Sequence, residues 1–182
     1  AAKTSNHVYF FETASNEPKW IFTARVASQI GGDVKGGVGI SADGSLIIAL
    51  LGNRVLLFSK DSNKPIWEAE TANGYNIAIS ADGNYLAAAT CGEAEGKQGN
   101  NLILWNSESS TPLWQYHASG NFHGVDLSED GSSIAAATGC PDRRAYLFSK
   151  DTNDPLYRRG VFTRVSPNRH ACVSSDGKLA VY

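Results

Sequence analysis

Methionine is missing from this 182-residue sequence, so the chain does not carry its own initiator and reads as a processed chain or an excised segment. Cysteine is scarce: Cys91, Cys140 and Cys172 are odd in number and show no Cys-x-x-Cys spacing, which excludes a disulfide framework and a cysteine-based zinc site. Buried free thiols are the expectation. Neither sign of charge dominates, with 16 basic against 18 acidic residues and a formal net charge of −2. That balance gives no electrostatic reason to expect nucleic acid or a membrane surface as partner. No apolar run approaches the ~18 residues of a spanning helix. The opening AAKTSNHVYFF also lacks the apolar stretch of a signal peptide, so the sequence leaves open a cytoplasmic or a processed surface or secreted location. His7, His117, His123 and His170 have no ligand spacing, and there is no Gly-x-Ser-x-Gly, phosphate loop or Cys-His pairing. Neither a metal nor a cofactor is expected.

What the sequence does contain is repetition. LFSKDSNKPIW (Leu57 to Trp67) returns as LFSKDTNDPLY (Leu147 to Tyr157), with weaker copies in FFETASNEPKW (Phe10 to Trp20) and LWNSESSTPLW (Leu104 to Trp114). A second signature falls between them: ISADGSL from Ile40, ISADGNYL from Ile79, LSEDGSSI from Leu127 and VSSDGKL from Val173. The prolines Pro18, Pro65, Pro112 and Pro155 recur roughly every 45 residues, within the range of propeller blades. Two motifs interleaved four times in constant order make the chain a tandem array of four units.

Each unit reads as short strands. Tyr75 to Ser80 alternates, with Ile77 and Ile79 on one side, and Asp82-Gly83 then supplies a tight turn, because Asp bonds the following backbone and Gly tolerates positive φ. Tyr85 to Thr90 is nearly all apolar, as in a strand covered on both faces. Leu102 to Trp105 is rich in sheet-favouring residues, and Pro112 opens an outer strand, where its missing N–H is tolerated. No helical period of 3.6 appears, so the fold class is all-β.

The Ser-x-Asp-Gly turn and the third strands LILWN, VLLFS and AYLFS resemble those of WD-repeat and related propeller families. The Pro-x-Trp fourth strand is similar to quinoprotein-type and WD-like blades. The resemblance covers essentially the whole chain and implies a β-propeller of four-stranded antiparallel blades. It departs from the WD pattern in having no Gly-His pair and no Trp-Asp dipeptide, since Trp105 is followed by Asn106, so the buried tetrad of that family is not carried over. No cofactor-binding residues of a quinoprotein dehydrogenase can be placed either.

The blade units run over about 31–70, 71–117, 118–158, and 159–182 completed by 1–28. The chain thus ends two strands into a blade and begins with the other two, an arrangement that removes exposed sheet edges. Closure within one chain makes four blades splayed by about 90°, whereas two chains head to tail make eight at about 45°. The small residues Ala87 to Ala89 and Ala135 to Ala137 suit the shallower angle and favour the dimer, with the four-bladed monomer as the alternative.

Aligned first strands place Gly37, Asn76, Gly124 and His170 in one column, and Gly39, Ala78, Asp126 and Cys172 two residues on. Gly36, Tyr75, His123 and Arg169 are expected just before the strand, at the mouth of the channel. Tyr75, Asn76, His123, Asp126, Arg169 and His170 are therefore the candidate ligand residues, offering a stacking face, a fork for an anion and titratable nitrogens. The bland alternative is a solvated tunnel lining. Arg143, Arg144, Arg158, Arg159, Arg164 and Arg169 crowd the last third but fall on different strand ends and read as solvated charge. The acidic stretch Gly92 to Asn100 lacks the alternating Asp ligands of a calcium loop and reads as a plain loop. The expectation is a non-catalytic propeller scaffold for a protein or small polar ligand. Its alternatives are a propeller enzyme, quinoprotein-like or hydrolytic, with a site at the channel, and an excised piece of a larger propeller.

Overall fold

The computed structural model describes residues 1–4, 6–24, 37–92, 99–160 and 170–182. Every regular element among them is a strand, and every pairing is antiparallel. β1 (Ala2–Lys3), β2 (His7–Phe11) and β3 (Pro18–Thr23) form a three-stranded sheet. Three four-stranded meanders follow. The first is β4 (Val38–Ile40), β5 (Leu46–Leu51), β6 (Arg54–Ser59) and β7 (Pro65–Glu70); the second is β8 (Gly74–Ile79), β9 (Tyr85–Thr90), β10 (Asn101–Asn106) and β11 (Trp114–His117). The third is β12 (Phe122–Leu127), β13 (Ser133–Thr138), β14 (Arg144–Ser149) and β15 (Tyr157–Gly160). The last sheet holds only β16 (Cys172–Val173) and β17 (Ala180–Val181).

The hairpin between first and second strands is built the same way four times. Ser41, Ser80, Ser128 and Ser174 donate their hydroxyls to Asp43, Asp82, Asp130 and Asp176 at 2.6, 2.6, 2.9 and 2.7 Å. Each carboxylate also accepts the backbone N–H two residues on, and each serine oxygen accepts the N–H five residues on, at the start of the second strand or, for Leu179, just before it. Gly44, Gly83, Gly131 and Gly177 sit at φ between 66° and 77°, where a Cβ is disfavoured. Neighbouring turns are tied together: Ala42 N donates to Ala81 O, Asp82 N to Glu129 O, and Glu129 N to Ser175 O.

The second strands are the best buried. Ile47 to Leu50, Leu86 to Ala89 and Ile134 to Ala137 are inaccessible to solvent, because each is covered by a sheet on either face. The alanines let the neighbouring sheet approach closely, and the sheets stack with their first strands side by side.

One joint recurs between consecutive sheets. Trp20, Trp67 and Trp114, on the fourth strands, lie 5.4, 6.4 and 5.5 Å from the rings of Phe58, Trp105 and Phe148 on the next third strand. Their indole N–H groups donate to Lys60 O, Ser107 O and Lys150 O at 2.9, 2.7 and 2.9 Å. A large amphipathic ring suits this place, since its body fills the joint and its one donor finds a carbonyl.

One particular departs from the sequence reading and two go beyond it. Cys140 and Cys172 are exposed and Cys91 is half-buried, so the free thiols are not core residues. The reason is position: Cys91 and Cys140 follow the last paired residue of β9 and β13 and fall in loops. The third meander also has a buried polar network without the WD dipeptide. Asp142, its side chain 2% exposed, accepts hydrogen bonds from Thr138 at 2.8 Å and Tyr146 at 2.5 Å and pairs with Arg144 at 2.9 Å. Finally, the two terminal sheets remain separate, because Ala2 and Lys3 fold back onto Tyr9 and Val8 and take the second-strand place beside β2.

Candidate functional site at the inner strands

The first strands β8 and β12 each carry a bulge, between Gly74 and Asn76 and between Phe122 and Gly124. The residue expelled from the ladder is Tyr75 in one and His123 in the other. Both were expected just before the strand; they lie inside it, because the extra residue is absorbed by the bulge rather than by the loop. A bulge turns its residue out of the alternating pattern, so it re-aims a side chain. Here the two rings are re-aimed onto one another, with centroids 4.2 Å apart and planes within 14°. His123 is buried and Tyr75 half-buried, so the pair forms a shelf whose outer face is the tyrosine.

The remaining candidates divide. Asn76 stands beside Gly37, close enough that a Cβ on that glycine would meet its amide oxygen at 3.4 Å, and that oxygen accepts Ile77 N–H at 2.8 Å. His170 is exposed and lies against Gly124, where a Cβ would meet the His170 and Ala171 backbone at 2.7 to 3.0 Å. The alignment column of Gly37, Asn76, Gly124 and His170 is therefore a spatial row. At Gly124 the backbones nearly touch, whereas Gly37 meets side-chain atoms of Ile77 and Asn76 first. Asp126 accepts the N–H of Val173 at 2.9 Å and clasps β16 to the third meander. Arg169, like Arg164 and Gly36, lies outside the described residues.

The bulges escaped the sequence reading, although a signal was there. Gly74 and Gly124 flank the expelled residues, and Gly74 abuts Leu50 so closely that a Cβ would come within 2.4 Å of its side chain. Among the described residues no group of three His, Cys, Asp or Glu is arranged to hold a metal ion, and no helix is long and apolar enough to cross a membrane.

No family model and no curated protein matches the sequence. Among solved structures, the chain is similar to the structure of U3-55K, a propeller-like neighbour, at 15% identity and a TM-score of 0.63. The likeness extends over 80% of this chain and 44% of that one, so this chain spans less than half the length of the structure it matches. At that identity the likeness speaks for the fold alone, which is all-β and propeller-like.

Proposed function

We propose that this chain is an arc of a β-propeller, a rigid non-catalytic scaffold that holds a protein segment or a small polar ligand at its inner mouth. The observation that supports the reading is the Tyr75–His123 shelf. Framework positions repeat from unit to unit, whereas the bulge position carries a tyrosine in one first strand and a histidine in the next. A framework has no need of a bulged residue in two consecutive inner strands; a binding surface does. The shelf supplies a flat apolar face with a phenolic hydroxyl and imidazole nitrogens, a combination that suits a planar or partly polar group. Arg169 is the next member of the same sequence series and adds an anion-binding fork in this reading.

The ring in this reading has eight blades made by two copies. The match over less than half of a longer propeller-like chain supports that curvature, as do the alanine-rich second strands.

Ligand-observed NMR with a panel of peptides, oligosaccharides and organic anions tests the site. Binders are expected to lose at least tenfold in affinity in Tyr75→Ala protein, and in His123→Ala protein assayed below its own thermal midpoint, which the loss of a buried ring lowers. Equal binding by both variants would move the site to the loops. A stoichiometric metal or quinone in protein purified from its natural source would replace this reading with the enzyme one.

A further inference from the structure

The joint that repeats between sheets is left half-made at the end of the chain. At the first three junctions the preceding sheet contributes two residues from its third strand and two from its fourth, such as Val8, Phe10, Trp20 and Phe22. The following sheet answers with two from its second strand and two from its third: Ile47, Ala49, Leu56 and Phe58 at the first junction, Leu86, Ala88, Ile103 and Trp105 at the second, Ile134, Ala136, Tyr146 and Phe148 at the third.

At the fourth junction a cavity of about 350 Å³ opens, lined by Ala145, Leu147, Tyr157, Arg159, Ala180 and Tyr182. By strand register Ala145, Leu147, Tyr157 and Arg159 are the four residues of a preceding sheet, and Ala180 and Tyr182 the second-strand pair of a following one. Only the third-strand pair is missing from the cavity. The same register identifies that pair as Tyr9 and Phe11, which lie on the face of β2 turned away from its own cluster. Their rings stack at 6.4 Å, and Phe11 is 36% exposed, whereas its counterparts Phe58, Trp105 and Phe148 are buried to 1% or less. Tyr157, in the place of the joint tryptophans, is 44% exposed.

The finer contacts of the joint point the same way. Asn63 and Asn153 donate side-chain N–H groups to Ile21 O and Gln115 O on the preceding fourth strand. Asn16 holds the matching place in the first repeat copy, and the carbonyl it would reach is that of Arg158.

We infer that the cavity beside β17 is a socket for the N-terminal sheet of a second copy of this chain, with Tyr9 and Phe11 inserted against Leu147 and Tyr157. This rests on the arc reading above, in which the terminal sheets β1–β3 and β16–β17 stay separate within one chain. Two such sockets related by a two-fold axis close the ring, with β17 taking the edge of β2 that β1 holds in the single chain.

Light scattering on the wild-type chain should give about twice the 19.5 kDa chain mass at micromolar concentration. Phe11→Asp and Tyr157→Asp each place a charge in the joint but on surfaces open to water in the single chain. Each should return a monomer with an unchanged far-ultraviolet circular dichroism spectrum. Mixing the two variants rebuilds one intact joint of the two and should recover heterodimers. A dimer indifferent to both substitutions would discard this joint while keeping the two-copy arc. A wild-type monomer in which Phe11→Asp lowers the thermal midpoint would discard the arc itself, because the socket would then be filled from within. Should Phe11→Asp fail to fold, the Tyr157→Asp mass decides alone.

Discussion

Trp67 donates its indole N–H to the carbonyl of Ser107 on the next sheet, 2.7 Å away, while its ring lies beside Trp105. One side chain thus joins two units by apolar packing and by a directed bond.

Trp67→Phe keeps a ring in the joint and removes the donor. The expected loss is about 1 kcal/mol of unfolding free energy, the usual net worth of one hydrogen bond, with Ser107 O left to find water. Urea denaturation at equal slope measures it, and an unchanged midpoint would mean that the bond carries no net weight.

The four Ser-Asp turns make stability fall in acid. Hydrogen bonds from Ser41 and from the backbone and side chain of Ser45 hold Asp43 down to about 2. Asp130 and Asp176 are lowered by the same kind of bonds, from Ser132 and Ser128 and from Ser174 and Lys178. At Asp82 burial works upward, but the bonds from Ser80 and Asn84 outweigh it and the net direction is down. Folded values below the unfolded ~3.9 mean that this stability is complete above pH ~4 and is lost as the pH falls towards 2. Thermal midpoints should drop over that window, and less steeply in Asp43→Asn. A flat profile between pH 5 and 2 would show that the turns do not couple to folding.

The alkaline side behaves in the opposite sense. Burial, then the nearby Tyr157, pushes Tyr182 up to about 12, and burial with the Asp142 carboxylate pushes Tyr146 higher still. Raised folded values leave this stability intact below the unfolded pKa near 10 and remove it as the pH climbs through 12. Absorbance at 295 nm should show two of the tyrosines titrating late, and Tyr146→Phe should delete the later of them. That substitution also takes a donor from buried Asp142 and should cost about 1.5–3 kcal/mol at neutral pH. Tyrosines that all ionise near pH 10 in the folded protein would contradict the buried network.

Gly124→Ala tests the close row of inner strands. Its Cβ would come within 2.7 to 3.0 Å of backbone atoms of His170 and Ala171, which cannot swing aside as a side chain does. The cost should be about 1–3 kcal/mol, the range for overpacking. Gly37→Ala, whose nearest atoms are side-chain ones at 3.3 and 3.4 Å, should cost clearly less. Equal midpoints for the two variants would mean that β12 and β16 do not approach as described.

The repeats were enough to determine strand order, the Asp-Gly turns, the outer place of Pro18 and Pro65, and the neighbouring of Gly37 with Asn76 and of Gly124 with His170. These follow from local rules: a period of two, a turn that needs positive φ, and a proline that cannot donate. Tertiary structure alone decided the rest. Tyr75 was legible as a candidate, but its stacking on His123 comes from a bulge next to Gly74, which is pressed on Leu50. That Asp126 also clasps β16, by accepting the N–H of Val173, depends on a strand far off in sequence. Cys140 reads as apolar in composition, yet it stands two residues beyond the ladder and is exposed. Tyr9 and Phe11 alternate like any core strand, but the sheet that would bury them is not contributed by their own neighbours in sequence. Which face of a strand is covered is settled by whatever packs against it, and a period of two is silent on that.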